Sequence, residues 1–134
     1  MTLLEIKGLT IDIARDNGPA RVVDGIELSV MEGESLGIVG ESGCGKSVTA
    51  LSVLRLVADP PGRIVGGAIR FSGVNLLELS ESEMEDIRGN AISMIFQEPM
   101  TSLNPVYRVG EQIAESLRLH EGLSRKDALV RAVE

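Results

Sequence analysis

The chain has 134 residues, of which 43% are hydrophobic and 25% charged, and this balance excludes a disordered or fibrous protein. Thirteen basic against twenty acidic residues give a net charge of -7, which argues against nucleic acid as the main partner because a phosphate backbone requires a basic surface. No run of about 18 apolar residues occurs, the first residues lack a signal-peptide pattern, and the lone cysteine, Cys44, suits a reducing compartment. We therefore expect a soluble, cytoplasmic globular chain.

Alternating apolar and polar residues predict two strands within residues 4–30. The run Asp16, Asn17, Gly18 and Pro19 between them is a turn cluster. The pattern therefore indicates a hairpin at the start of the chain.

Residues 35–39 form a short uncharged run, as expected of a strand buried on both faces in a parallel sheet. After Lys46, apolar residues recur at helical spacing until Pro60 and Pro61 stop the helix. The apolar residues of this helix are Val48, Leu51, Leu54 and Val57. The sequence thus predicts a strand, a glycine-rich loop and a helix, in that order.

A further strand is predicted at residues 68–71, followed by a short helix. Ser80 and Glu83 have the spacing of a capping box at its start, and Gly89 stands where a C-terminal cap belongs. Residues 92–96 form a second run typical of a buried strand.

Two helices are predicted in the last thirty residues. Val109, Ile113 and Leu117 form one helical stripe, which we interpret as facing the core. Ser124 and Asp127 resemble the start of another helix. The predicted apolar side of that helix is Leu129, Ala132 and Val133.

Residues 40–47, GESGCGKS, match the phosphate-loop pattern G-x-x-x-x-G-K-[ST] in full. Glycines let successive N–H groups turn inward around phosphate oxygens, and the following helix directs its positive dipole end at the same place. Lys46 would bridge the β- and γ-phosphates, and the Ser47 hydroxyl would ligate Mg²⁺. Cys44 is expected to contribute its backbone N–H rather than a reactive thiol. The predicted nucleotide-binding residues are Gly40, Glu41, Ser42, Gly43, Cys44, Gly45, Lys46, Ser47 and Val48.

The segments GIVGESGCGKS (residues 37–47) and MIFQEPMTSLNP (residues 94–105) together resemble the nucleotide-binding subunit of an ATP-binding cassette (ABC) transporter. Within that family, the chain is most similar to the dipeptide, oligopeptide and nickel uptake branch. The resemblance covers essentially the whole chain. It implies an α/β fold of the P-loop NTPase class: an antiparallel β subdomain, a P-loop strand-helix unit and an incomplete sheet over residues 1–105, then the start of a helical subdomain over residues 106–134.

The same resemblance assigns roles to side chains. Gln97 would be the Q-loop glutamine, able to reach the Mg²⁺ ion and the attacking water. Lys46 and Gln97 are therefore the expected catalytic residues, and Ser47 and Gln97 the expected metal ligands, with ATP and Mg²⁺ as cofactors.

The resemblance also implies partners. These are transmembrane permease subunits and a second nucleotide-binding subunit, in a complex on the inner face of the plasma membrane that imports peptides, related solutes or nickel. No nucleic-acid partner is expected.

The family's signature sequence, Walker B motif and switch histidine are absent from the 134 residues. We therefore expect the chain to be the front part of a longer ATPase and to hydrolyse ATP inefficiently by itself. With its sheet incomplete, the chain is also expected to self-associate through an exposed edge near residues 92–96.

No aromatic residue precedes Phe71, so the nucleotide is expected to be held mainly by its phosphates. Two alternatives from other classes remain at this stage: a P-loop small-molecule kinase, and a non-catalytic module that binds only phosphate.

Overall fold

The computed structural model describes residues 1–98, 100 and 102–134. The chain forms two compact units, residues 1–84 and residues 85–134. The first contains a β-sheet and a helix that follows its second strand in sequence, the second contains two helices, and one short helix spans the boundary.

The first unit is built on an antiparallel sheet with the strand order β2-β1-β3-β4. Its strands are β1 (Thr2–Ile13), β2 (Ala20–Met31), β3 (Gly62–Phe71) and β4 (Val74–Asn75). The predicted hairpin is confirmed, and the strand predicted at 68–71 begins six residues earlier, at Gly62. The buried apolar residues of this unit include Ile6, Leu9, Ile11, Val23, Ile69, Leu76 and Met84. Ile6, Leu9, Ile11, Val23 and Ile69 lie on the three long strands, so the core of this unit is built mainly on the sheet.

Irregular pairing between β1 and β2 bends the hairpin. Ile11 lies opposite Val23 and Asp12 opposite Arg21, so Val22 is an extra residue on β2. Such a bulge turns the backbone locally and changes the direction in which its carbonyl points. The consequence, described below, is a contact between β2 and the glycine-rich loop.

The first helix, α1 (Lys46–Val53), begins where the sequence predicts. It ends well before Pro60, because Arg55 adopts a left-handed conformation with φ +53°. The Arg55 guanidinium then donates a 2.6 Å hydrogen bond to the carbonyl of Leu79. This bond joins the end of α1 to the segment that leads into the next helix.

The second helix, α2 (Glu81–Ile87), has the predicted capping box. The Glu83 carboxylate accepts hydrogen bonds from the hydroxyl and the N–H of Ser80, both at 2.7 Å, and the Glu83 N–H donates to the Ser80 hydroxyl at 3.3 Å. The side-chain and backbone bonds from Ser80 hold the pKa of Glu83 below its ordinary value. The local spacing of Ser80 and Glu83 was thus a correct guide to the helix start.

The two predicted buried strands at 35–39 and 92–96 are wrong. Neither segment is a strand, and Val39 and Ile95 are 94% and 98% exposed. A strand needs a hydrogen-bonded neighbour along its length. In the described part of the chain, the one pairing of either segment is a single bridge between Ile92 and Arg88. The predicted strand-helix unit is therefore present as a loop and a helix.

The second unit contains α3 (Val109–Glu121) and α4 (Arg125–Arg131). Gly122 ends α3 in a left-handed conformation with φ +67°. Ser124 caps α4 by accepting a 3.2 Å hydrogen bond from the Asp127 N–H, which confirms the predicted start of that helix. Among the described residues, no helix is long and apolar enough to cross a membrane.

The predicted buried faces of α3 and α4 are wrong at Val109, Ile113 and Val133, whereas Leu117, Leu129 and Ala132 are partly buried. Val109 and Ile113 are about half exposed and Val133 is exposed, whereas Ala114 and Ala128 are fully buried. A Cβ added at Gly110 on α3 would lie 3.6 Å from the Leu129 side chain of α4, so this part of the predicted α4 face lies against α3.

Candidate functional site

The glycine-rich loop, residues 40–47, leads directly into the N-terminus of α1. Gly45 is the N-cap residue, with φ +94°, and it provides no side chain to cap the helix. The first turn of α1 also contains no acidic residue. Because first-turn N–H groups have no intrahelical partner and carry the positive end of the helix dipole, this end of α1 is suited to an anion.

Two glycines in the loop have conformations that other residues rarely adopt. Gly43 has φ +81° and Gly45 has φ +94°. At Gly45 an added Cβ would also lie 2.9 Å from the carbonyl oxygen of Val22, at the β2 bulge. The loop is thus packed against β2 so closely that only glycine fits.

Lys46 lies over the loop rather than in solvent. Its ammonium donates hydrogen bonds to the carbonyl oxygens of Gly40 at 2.7 Å and Glu41 at 2.6 Å. The Cys44 sulfur is 3.4 Å from the same nitrogen. An ammonium has three donors and a full positive charge, so the loop holds a cation beside the N–H groups that would surround phosphate.

A cavity of about 460 Å³ borders this loop. Its walls combine side chains of β2, the exposed segment before the loop, and the start of α1. Its lining includes Leu28, Ile38, Cys44, Gly45, Lys46 and Thr49. One side of the cavity is apolar and the other carries the ammonium and the helix terminus.

The structure brings together all the predicted phosphate-loop residues. Glu41, Ser42, Cys44 and Ser47 are exposed, and Val48 is partly buried in the first turn of α1. The Ser47 hydroxyl is the kind of hard oxygen ligand that Mg²⁺ prefers. The described residues contain no cluster of three or more His, Cys, Asp or Glu residues able to hold a metal ion. Any Mg²⁺ here would therefore depend on phosphate oxygens for most of its ligands.

Gln97 belongs to the second unit, and it is exposed and lies outside any helix or strand. Pro99 and Thr101 of the segment MIFQEPMTSLNP fall outside the described residues. The roles of Gln97 as catalytic residue and metal ligand remain predictions.

Two contacts were missed by sequence reasoning. One is the Val22 carbonyl against Gly45, for which the sequence carries no signal because a bulge depends on strand register. The other is the side-chain amide of Gln112, which hydrogen-bonds to the loop after Gln97. An Asn-Pro turn shortly before a helix with an amide in its first two turns is the signal that could have indicated it.

Comparison with known proteins places these features in a family. Residues 23–133 match the family model described as ABC transporter. A probable peptide ABC transporter ATP-binding protein of Sinorhizobium fredii is 52% identical over 132 residues, which cover 98% of this chain and 39% of that protein. The oligopeptide transport ATP-binding protein OppD of Bacillus subtilis is 48% identical over 132 residues, covering 98% of this chain and 37% of that protein. The chain thus spans about two fifths of the length of these curated relatives.

A solved structure shares the fold. It is a dimeric ATP-binding cassette in a post-hydrolysis state bound to ADP and Pi, with a TM-score of 0.82 at 22% identity, covering 98% of this chain and 54% of that one. The predicted fold class, the N-terminal part of an ABC-type nucleotide-binding domain, is confirmed by this likeness and by the family match.

Proposed function

We propose, on the premise that this chain belongs to the ABC transporter family, that its glycine-rich loop binds Mg-ATP. The observation that carries the proposal is the arrangement at α1: a helix N-terminus without an acidic residue, a loop of left-handed glycines, and the Lys46 ammonium directly over that loop. Each of these three features attracts a polyanion, and they converge on one point.

The loop residues have distinct parts in this proposal. Lys46 would hold the β- and γ-phosphates, and the Ser47 hydroxyl would be a ligand of the Mg²⁺ ion. The resemblance implies that Gln97 would reach the same metal ion and the attacking water. The phosphates supply most of the binding, because the first hairpin offers no aromatic side chain to stack on adenine.

The complete protein, we propose, is the ATPase subunit that energises import of a peptide, a related solute or nickel. It works at the inner face of the plasma membrane, with transmembrane permease subunits and a second nucleotide-binding subunit. The names of its relatives support the peptide class, and the dimeric cassette of the same fold supports pairing.

Residues 1–134 alone are expected to bind ATP but to turn it over slowly. Hydrolysis needs a positioned water and full charge stabilisation in the transition state, and the resemblance assigns several of those groups to motifs that these residues do not include. ATP turnover by this chain at the rate of a complete transport ATPase, abolished in Lys46→Ala, would contradict the expectation.

Calorimetric titration tests nucleotide binding. Lys46→Ala should weaken Mg-ATP binding at least tenfold, because charge-assisted hydrogen bonds to phosphate are lost. Lys126→Ala, which removes a lysine from α4, is the matched control and should bind as the wild type does. Circular dichroism checks that both variants are folded.

Inorganic phosphate provides the second arm of the titration. The proposal requires a clear preference for Mg-ATP over phosphate. Equal affinity for the two ligands would instead indicate a site that binds any anion. Wild-type Mg-ATP affinity in Lys46→Ala would show that the loop is not the binding site.

A further inference from the structure

The side-chain amide of Gln112 joins α3 to the loop that follows Gln97. Its Oε1 accepts a 2.8 Å hydrogen bond from the Asn104 N–H, and its Nε2 donates to the carbonyls of Asn104 at 2.8 Å and Tyr107 at 3.0 Å. Both ends of the amide are thus occupied. The reverse orientation would place Nε2 against a donor and Oε1 against two acceptors, so the pattern fixes which way the amide points.

The loop itself is a turn formed by Asn104. The Asn104 Oδ1 accepts a 3.0 Å hydrogen bond from the Val106 N–H, and its carbonyl accepts a 3.2 Å bond from the Tyr107 N–H. These are the bonds of an Asx-turn followed by a β-turn. The turn therefore has a defined shape, and Gln112 attaches that shape to the helix.

The start of α3 gives Gln112 a further role. The N-cap residue, Arg108, makes no side-chain hydrogen bond to the helix. The carbonyls of Asn104 and Tyr107, just before that cap, are instead joined to the second turn of the helix through Gln112. Loop and helix N-terminus are in this way one hydrogen-bonded piece, which we call the Gln112 network (Gln112, Asn104 and Tyr107).

We propose that Gln112 is a positioning residue that makes residues 104–107 and the helix α3 move as one body. This rests on the proposed function, in which Gln97 would reach the Mg²⁺ ion and the attacking water when ATP is bound. A displacement of residues 104–107 is then transmitted to α3 through the Gln112 network.

The bonds of the network are accessible to water. Exposed hydrogen bonds contribute only modestly to the stability of the whole chain, because the same groups bond to water when the chain unfolds. Removing the Gln112 amide should therefore leave the chain folded and change the conformational freedom of the loop, which separates a positioning role from a purely structural one.

The first test needs no nucleotide. Hydrogen exchange in Gln112→Ala should be at least tenfold faster at the N–H groups of residues 104–107, which are those of Asn104, Val106 and Tyr107, while the N–H groups of α4 exchange as in the wild type. Glu115→Ala, which removes an exposed side chain from the same helix, is the matched control and should leave residues 104–107 unchanged. Unchanged exchange of residues 104–107 in Gln112→Ala would overturn the proposal.

A second variant adds a pH profile. In Gln112→Glu the carboxylate keeps the acceptor for the Asn104 N–H but faces two carbonyl oxygens, so exchange of the loop should be fast at neutral pH. Protonation of the new side chain near its ordinary pKa, about 4.3, restores a donor. Loop exchange relative to the wild type at the same pH should then slow. A ratio independent of pH would count against the assigned bonds.

The second test uses nucleotide. Tyr107 is the only tyrosine and the chain has no tryptophan, so intrinsic fluorescence reports on the Gln112 network directly. Saturating Mg-ATP should change the wild-type emission, whereas an equal concentration of Mg-ADP, which matches its absorbance, should not. In Gln112→Ala the change in tyrosine emission caused by Mg-ATP should fall below about one fifth of the wild-type change. The Mg-ATP affinity of this variant, measured by calorimetry, should stay within about twofold of the wild type.

The outcomes separate this proposal from the one it rests on. A wild-type tyrosine response in Gln112→Ala would overturn it, and so would a wild type that binds Mg-ATP without any tyrosine response. Loss of both α3 helicity and ATP binding in Gln112→Ala would assign a structural role instead. A wild type that does not bind Mg-ATP refutes the proposed function and the transmission step, while hydrogen exchange still decides whether Gln112 holds the loop.

Discussion

At the residue scale, two independent constraints require a glycine at position 45. Its φ of +94° is unfavourable for any residue with a side chain, and an added Cβ would lie 2.9 Å from the Val22 carbonyl oxygen, which is closer than real contacts allow. Gly45→Ala should therefore lower the free energy of unfolding of the first unit by more than the roughly 1–2 kcal/mol expected from the backbone conformation alone. Urea unfolding followed by circular dichroism measures the change.

Gly43→Ala is the matched control for that prediction. Gly43 is in the same loop and has φ +81°, but an added Cβ would meet nothing within 4 Å. This variant carries the conformational cost without the collision. If both variants lose the same stability, the contact between Gly45 and β2 contributes nothing measurable.

The sequence predicts the phosphate loop but not the contact between that loop and β2. The motif at residues 40–47 predicts the backbone conformation, because the spacing of glycine, lysine and serine is local. The carbonyl of Val22, which lies close to Gly45, belongs to the extra residue of β2 relative to β1. Strand register is set by pairing over the whole hairpin, so no short motif could have revealed this contact.

At the element scale, an ion pair between Glu111 and Arg125 links α3 to α4. The Arg125 Nε lies 3.1 Å from Glu111 Oε1, and Nη2 makes a second, shorter contact with the same oxygen. The hydrogen bond from Arg125 holds the pKa of Glu111 below its ordinary value. Because the pKa is lowered on folding, the contribution to stability is present above the unfolded pKa, about 4.3, and is lost as the pH falls through the folded one.

Glu111→Gln should therefore lower the melting temperature slightly at pH 7, and the difference from the wild type should vanish below the folded pKa. The effect is expected to be small and to shrink at high salt, since both side chains contact water. Thermal melts of α-helical ellipticity at the two pH values measure it. Glu115→Gln removes the same charge from the same helix without the arginine contact, and an equal effect there would attribute the change to net charge.

Helix starts were easier to predict than helix faces. The boxes at Ser80 and Ser124 lie within four residues of sequence, and the structure contains both. The buried side of α3 depends on what packs against it, and the small residue Ala114 is buried where the stripe through Ile113 was expected.

Self-association remains a prediction at the scale of the whole molecule. The expected sheet edge at 92–96 is not a strand, but the apolar exposure expected there is present, with Ile95 98% exposed and Phe96 about half exposed. Apolar surface of this kind favours contact between copies of the chain. Sedimentation velocity over a range of concentrations should show dimers or larger species, and Ile95→Lys should shift them toward monomer.

Val106→Lys is the matched control for Ile95→Lys. Val106 is also in the second unit and is 83% exposed, so both substitutions add one charge at little expected cost in stability. A wild type that stays monomeric at all concentrations tested would contradict the prediction. Equal dissociation by the two variants would indicate general charge repulsion.

The failure of the two strand predictions has the same cause in both cases. Their composition suits a strand buried between neighbours, yet a strand exists only where another chain segment offers its hydrogen bonds. Residues 35–39 and 92–96 have no such strand partner in the part of the chain that the structure describes. Composition could predict the preference of these segments, whereas pairing is a property of the assembled sheet.

The hydrogen bonds of Lys46 determine which anions can bind at the loop. Because the ammonium is already bonded to the carbonyls of Gly40 and Glu41, an arriving anion must exchange with partners that the loop itself supplies. A monovalent ion such as chloride offers one weak contact for two that are given up. A polyphosphate offers several charged oxygens at once and meets the helix N-terminus as well. Through this exchange the loop selects ligands by their number of charges, independently of the rest of the ligand.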